Sequence, residues 1–149
     1  VTELLIVGEA PNRRGQGKRA NTTFTGGRLA QLGAREIART NLLKEWPGPS
    51  GKGSAFPLEL ARPAAERLLR RVPRRVHLVL IGTRVAAAFG LPRARYEYLE
   101  WRRHRERWVA VCPHPSGVNL WWNDADNRDL AAEFFRQIVD GNLDLEVRA

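Results

Sequence analysis

Four short apolar runs punctuate the chain, at Leu4–Val7, Ile37–Leu43, Val76–Ile81 and Trp108–Cys112. They are largely continuous rather than alternating, which is the pattern of strands buried on both faces of a parallel sheet. Between them the apolar positions change to helical spacing. Leu29 and Leu32 predict a short helix after the first strand, and Leu58, Leu60, Ala61, Ala64, Ala65, Leu68 and Leu69 a longer one before the third. Thr83 is a candidate cap for a helix over Val85–Phe89, which Gly90 and Pro92 end. Asn123 or Asp124 is a candidate cap for a last helix with Leu130, Phe134, Phe135, Ile138 and Val139 on one side. The segment Gly48–Gly53 reads as a mobile loop. The predicted order is β-α-β-α-β-α-β-α, a three-layer α/β/α domain with a central four-stranded, mainly parallel sheet.

No repeat, low-complexity tract or linker interrupts this pattern, so residues 1–149 read as one domain. No apolar run approaches the ~20 residues of a membrane span, and the opening Val1-Thr2-Glu3 has no basic-then-apolar leader pattern. The expected setting is the cytoplasm, with no membrane partner. Methionine is absent, position 1 included, which implies a start that was trimmed, tagged or left out. Cys112 is the only cysteine, which excludes an internal disulfide and any all-cysteine zinc or iron–sulfur site.

Charge narrows the choice of partner. The 25 basic residues exceed the 16 acidic ones by 9, and 22 of the 25 are arginine. Arginine's planar fork suits phosphate oxygens, and a domain this basic most often meets a polyanion, with nucleic acid the first candidate.

Candidate chemistry gathers at the carboxyl ends of the predicted strands, where open parallel sheets bind ligands. Gly8-Glu9-Ala10-Pro11-Asn12 follows the first strand, Thr40-Asn41 lies in the second, Gly82-Thr83-Arg84 follows the third and Pro113-His114-Pro115-Ser116-Gly117 the fourth. Some familiar templates fail. Gly17-Lys18-Arg19 lacks the first glycine and the hydroxyl residue of a phosphate-binding loop, and Asp124-Ala125-Asp126-Asn127-Arg128-Asp129 puts arginine at a calcium-ligand position. Cys112, ending an apolar run, reads as a buried inert thiol. His114 stands out because prolines on both sides fix its backbone and Gly117 allows a ligand to approach.

Five segments then carry a resemblance: Gly8-Glu9-Ala10-Pro11; Phe24-Thr25-Gly26-Gly27-Arg28-Leu29; Thr40-Asn41-Leu42-Leu43-Lys44; Leu80-Ile81-Gly82-Thr83-Arg84-Val85-Ala86-Ala87; and His114-Pro115-Ser116. In this order they resemble the uracil-DNA glycosylase superfamily, nearest to its bacterial and archaeal branch with a glycine-glutamate-alanine-proline-glycine first motif. Asn12 stands where that branch has glycine, and Glu45 follows Lys44 where iron–sulfur members have cysteine.

The resemblance implies a DNA glycosylase that hydrolyses the N-glycosidic bond of uracil in a flipped nucleotide, acting as a monomer without metal or cofactor. It implies that Phe24 stacks on the base, Asn41 reads the uracil edge and His114 donates to O2. Glu9 with the backbone of Gly8, Ala10 and Pro11 would line the scissile bond and position water, with Ser116 beside the base. Leu120 and Trp121 fall where the family inserts an apolar wedge. One of Trp121 and Trp122 is expected to project and the other to pack. Arg13, Arg14, Lys18 and Arg19 are candidates for phosphate contacts. Three other readings stay open: a nucleic-acid-binding relative without catalysis, a nucleoside or nucleotide N-glycosidase, and a covalent uracil trap, for which the Gly48–Gly53 loop lacks the attacking histidine.

Overall fold

The computed structural model describes residues 3–11, 28–34, 37–50, 53–115, 119–141 and 143–145. In chain order the elements are β1 (Leu4–Gly8), α1 (Arg28–Gln31), β2 (Ala38–Asn41), β3 (Pro49–Ser50), β4 (Gly53–Ser54), α2 (Leu58–Arg71), β5 (His77–Ile81), α3 (Thr83–Ala88), β6 (Arg102–His104), β7 (Arg107–Cys112) and α4 (Ala125–Val139). Two 3₁₀ turns lie at Arg93–Arg95 and Leu120–Asn123.

The most apolar runs form the centre of one sheet of order β2-β1-β5-β7-β6, parallel except for β6. Because successive strand side chains point to opposite faces, each run feeds two cores. Val7, Leu80 and Val111 are in register and pack with Ala61, Ala65 and Leu68 of α2 and Val85 of α3. Ile6, Val79 and Ala110 are in register on the other face, with Leu29 of α1 and Phe134 and Phe135 of α4. The result is the expected three-layer α/β/α arrangement.

The sheet has five strands where the apolar pattern predicts four. The additional one, β6, is Arg102-Arg103-His104, an antiparallel edge strand held by β7 alone. Polar residues suffice there because an edge strand is not buried on both faces. Its two-residue connection, Arg105-Glu106, has positive φ at both positions (52° and 66°), a hairpin geometry that glycine and asparagine adopt more easily. Ion pairs of Arg105 with Glu66 and of Glu106 with Arg74 tie this turn to α2 and the segment that follows it.

Strand β7 starts at Arg107, one residue before the apolar run, and Arg107 is only 2% exposed. Its guanidinium donates to the carbonyls of Leu69 (3.1 Å), Val72 (3.1 Å) and Pro73 (3.3 Å), closing the carbonyl end of α2 where a cation is favoured.

Other boundaries also move. Strand β2 covers only Ala38–Asn41 of the predicted Ile37–Leu43. The segment read as a mobile loop contains a small antiparallel pair, β3 with β4, closed by Ala55 N–H donating to the Gly48 carbonyl at 2.8 Å. Thr83 is the first residue of α3 rather than its cap, which is Gly82. Gly90, at φ 84°, ends that helix: its N–H and that of Leu91 donate back to Ala87 and Ala86, a Schellman closure. Asp124, not Asn123, caps α4, accepting from Asp126 N–H at 2.8 Å. Leu60, Leu130 and Val139, assigned to buried helix faces by their spacing, are exposed. Among the described residues no helix is long and apolar enough to cross a membrane.

Candidate active site

A parallel sheet opens a crevice where connections leave neighbouring strands toward opposite faces. Here β1 runs through α1 to β2, and the chain then returns through α2 to β5 on the other side of β1. The crevice therefore lies beyond the carboxyl ends of β1 and β5, with the end of β2 on one flank and that of β7 on the other.

Gly8 ends β1 and is paired in register with Asn41, which ends β2 and is 8% exposed. The pairing continues past the strands, as Leu42 N–H donates to the Gly8 carbonyl and Leu43 N–H to that of Glu9, both at 2.9 Å. The backbone of Gly8 and Glu9 is thereby fixed beside Asn41. Ala10 is half-buried and Pro11 buried directly after them.

Gly82 closes the opposite wall. Its φ of 92° and ψ of 161° fall in a region essentially confined to glycine. A Cβ built there would sit 3.4 Å from His114 Cβ, 3.6 Å from His114 Cδ2 and 3.7 Å from Glu9 Oε2. These contacts are ordinary van der Waals distances, so the backbone conformation and not lack of space demands glycine. The same distances bring the His114 imidazole and the Glu9 carboxylate within 4 Å of one point. Gly82 N–H donates to the Cys112 carbonyl at 2.8 Å, locking the end of β5 to the start of the histidine loop.

The histidine loop is held from a second direction. Asn119 Nδ2 and Trp122 Nε1 both donate to the His114 carbonyl, at 3.1 and 2.9 Å. Asn119 Oδ1 in turn accepts from Trp121 N–H at 3.1 Å. Trp122 is 2% exposed, lies under the Arg28 guanidinium (4.8 Å to the ring centre), and has its own carbonyl bonded by Arg128. The Trp121 ring meets that of Trp122 edge-on, with centroids 4.8 Å apart, and that of Tyr98 at 6.0 Å. The expectation that one indole projects is thus not met, because both rings pack against the protein. The exposed apolar side chain of this turn is Leu120, at 76%.

Burial pushes the His114 pKa below its ordinary value, and the Arg84 guanidinium works in the same direction while Glu9 opposes. The ring is therefore a neutral donor and acceptor near pH 7. Glu9 is bonded by Arg84 through a fork: Nε donates to Oε2 at 3.1 Å and Nη2 to Oε1. Arg84 also lies 5.5 Å over the ring of Phe56. Cys112 is fully buried, and burial pushes its thiol strongly up, which makes it chemically inert.

No protein-family model and no curated protein matches the chain. The geometry thus stands by itself. It brings Gly8, Glu9, Ala10, Pro11 and Asn41 onto one side of the crevice and His114 onto the other, with Leu120 on the turn that follows. Phe24, Ser116, Arg13, Arg14, Lys18 and Arg19 lie outside the described residues. Phe56 and Asn119, which have structural roles at the site, are absent from the sequence expectation, whereas Arg84 enters it only as a residue beyond the third strand and Trp122 only as an indole that packs or projects. Arg84 had a visible signal, its place three residues after Ile81, the end of β5. Among the described residues no group of three or more His, Cys, Asp and Glu side chains is placed to hold a metal ion.

Proposed function

We propose that the protein is a monofunctional DNA glycosylase that removes uracil from DNA. The observation that carries this reading is the pairing of a half-buried neutral imidazole with a carboxylate across one crevice, beside an amide that ends the neighbouring strand. Breaking the bond between uracil N1 and C1′ sends the electron pair to the base, so negative charge grows on O2 and positive charge on the sugar. His114 donates an N–H to O2, the type of preorganised contact that stabilises a developing oxyanion. The Glu9 carboxylate faces the cationic sugar and orients the water whose oxygen bonds to C1′. That water's proton passes to the departing uracil anion or to solvent. The Asn41 amide matches uracil, accepting from N3–H and donating to O4.

Reaching the base requires extrusion from the stack, with an apolar side chain to fill the gap. Leu120 suits this role because it is exposed on the turn that anchors His114. The net charge of +9 supplies phosphate contacts that position the protein without reading sequence. On this reading the protein works as a monomer at the nucleoid in the cytoplasm.

A second reading, binding without excision, has one observation in its favour: Arg84 already engages both Glu9 oxygens. One experiment separates the two. Labelled oligonucleotides carrying uracil, thymine mispairs, hypoxanthine or xanthine are incubated with excess protein, and abasic sites are then cleaved with alkali. Excision of uracil supports the glycosylase reading. Tight binding with every oligonucleotide left intact supports the second.

A further inference from the structure

We infer that the end of the sheet opposite the crevice is a nucleic-acid contact of its own: a groove between α2 and the β6–β7 turn that takes the phosphate backbone of a segment lying away from the crevice. Most of the chain's net charge is concentrated there. Residues 66–75 and 102–107 hold nine arginines against two glutamates, a surplus of seven in a chain whose whole surplus is nine. Neither segment contains a lysine. Three carboxylates at this end are already engaged: Glu66 by Arg105, Glu106 by Arg74 and Glu3 by Arg75. Arg67, Arg70 and Arg71 are exposed and stand outside these three pairs.

The groove has a volume of about 520 Å³, and its charged lining is Glu66, Arg70, Arg74, Arg105, Glu106 and Arg107. Arg107 is the least exposed of these, at 2%. Its terminal nitrogens hold three carbonyls, while its Nε–H is buried without a hydrogen-bond partner. Burial lowers the Arg107 pKa, and the charges of Arg74 and Arg105 lower it further. Like charges therefore crowd one groove, and an anion is the counterpart that would relieve them.

The place of the groove separates it from the crevice. Strand β7 runs from Arg107 at this end to Cys112 beside the histidine loop, a rise of roughly 17 Å at about 3.3 Å per residue. That is about twice the Debye length of ~8 Å at physiological ionic strength, so a ligand at the crevice is largely screened from this charge. Arginine's planar fork matches phosphate oxygens. A concave groove continued by exposed arginines along α2 suits a linear chain of phosphates better than a flat bilayer or one free anion.

The probe is a uracil-free duplex, so the result does not depend on what the crevice does. In the isotope-labelled whole chain, the backbone amide signals of Arg70, Arg74, Arg105 and Glu106 should shift as the duplex is added. Affinity is then measured against salt for wild type and for Arg70→Gln/Arg74→Gln. Each phosphate contact contributes about 0.9 to the slope of log affinity against log salt, so the double variant should flatten it by about one to two units. Arg70→Lys/Arg74→Lys keeps the charge and should keep the slope. Arg95→Gln/Arg136→Gln removes the same charge from two arginines that do not line the groove, and should change the slope far less. Arg70 and Arg74 are exposed, and an exposed pair such as Arg74 with Glu106 contributes little to stability, so the melting temperature should stay close to wild type.

The inference is overturned if the duplex leaves the groove amides unmoved, or if both double Gln variants flatten the slope equally, which would make the effect one of net charge alone. It is also overturned if pyrophosphate, or vesicles of phosphatidylserine and phosphatidylcholine, shift those amides while the duplex does not. Failure to excise uracil would remove the glycosylase reading and leave this result standing.

Discussion

Leu120→Ala separates a wedge from a packing residue. Leu120 is 76% exposed in the 3₁₀ turn after the histidine loop, so its truncation removes almost no internal contact. The folded protein should lose less than about 0.5 kcal/mol. If the side chain fills the gap left by a flipped nucleotide, the variant loses burial of three carbon groups in the DNA stack. At about 0.8 kcal/mol each this comes to roughly 2 kcal/mol. That is about a 30-fold loss in excision from duplex DNA. A single strand has no stack to open, so its rate should stay within about twofold of wild type. The assay is single-turnover excision of uracil from matched duplex and single-stranded oligonucleotides, with thermal unfolding measured in parallel. Trp121→Ala is the contrasting variant. Its ring packs on Trp122 and Tyr98, so it should lose about 3 kcal/mol of stability and affect both substrates alike. Equal losses for Leu120→Ala on the two substrates, or no loss on either, would refute the wedge argument.

Further outcomes follow from the same geometry. Asn41→Ala should abolish discrimination of uracil from cytosine and slow uracil excision, measured as the ratio of single-turnover rates; uracil excision at the wild-type rate would mean that another group reads the base. The His114 pKa lies below its ordinary 6.5, so the rate should fall with acid only below pH 6.5 and be level through neutrality, as a pH–rate profile will record. The sign for stability is the same: the unfolded chain takes up the proton first, so His114 lowers stability as pH drops below 6.5 toward its folded value, seen as a decline in melting temperature that is shallower in His114→Ala. The buried Cys112 thiol should resist alkylation by iodoacetamide in the native protein and react once unfolded; rapid native labelling would contradict its placement.

The sheet was legible in proportion to its apolarity. Runs such as Leu78-Val79-Leu80-Ile81 are buried on both faces and announce themselves, whereas Arg102-Arg103-His104 becomes a strand only through pairing with Arg107–Val109. Helix faces were legible where they meet the sheet, as at Phe134 and Phe135, and misleading at Leu60 and Leu130 near the margins of the contact. At the site, Glu9, Asn41 and His114 could be found from their places beyond strand ends, since topology alone brings those ends to one rim. Arg84 also lies just beyond a strand end, but nothing in the sequence pairs it with Glu9, 75 residues away, and nothing marks Phe56 as its aromatic neighbour. Trp122 was read as an apolar residue, although its ring N–H does the specific work of holding the His114 carbonyl.

The most direct test of the account is single-turnover uracil excision by the wild-type protein beside His114→Ala, with thermal unfolding recorded for both. The account predicts that the wild type converts uracil sites to alkali-labile abasic sites. It predicts that His114→Ala is slower by about 10²–10³, the cost of one oxyanion donor, at a nearly unchanged melting temperature. Intact uracil sites after prolonged incubation with the wild type, or a folded His114→Ala protein that excises at the wild-type rate, would contradict it.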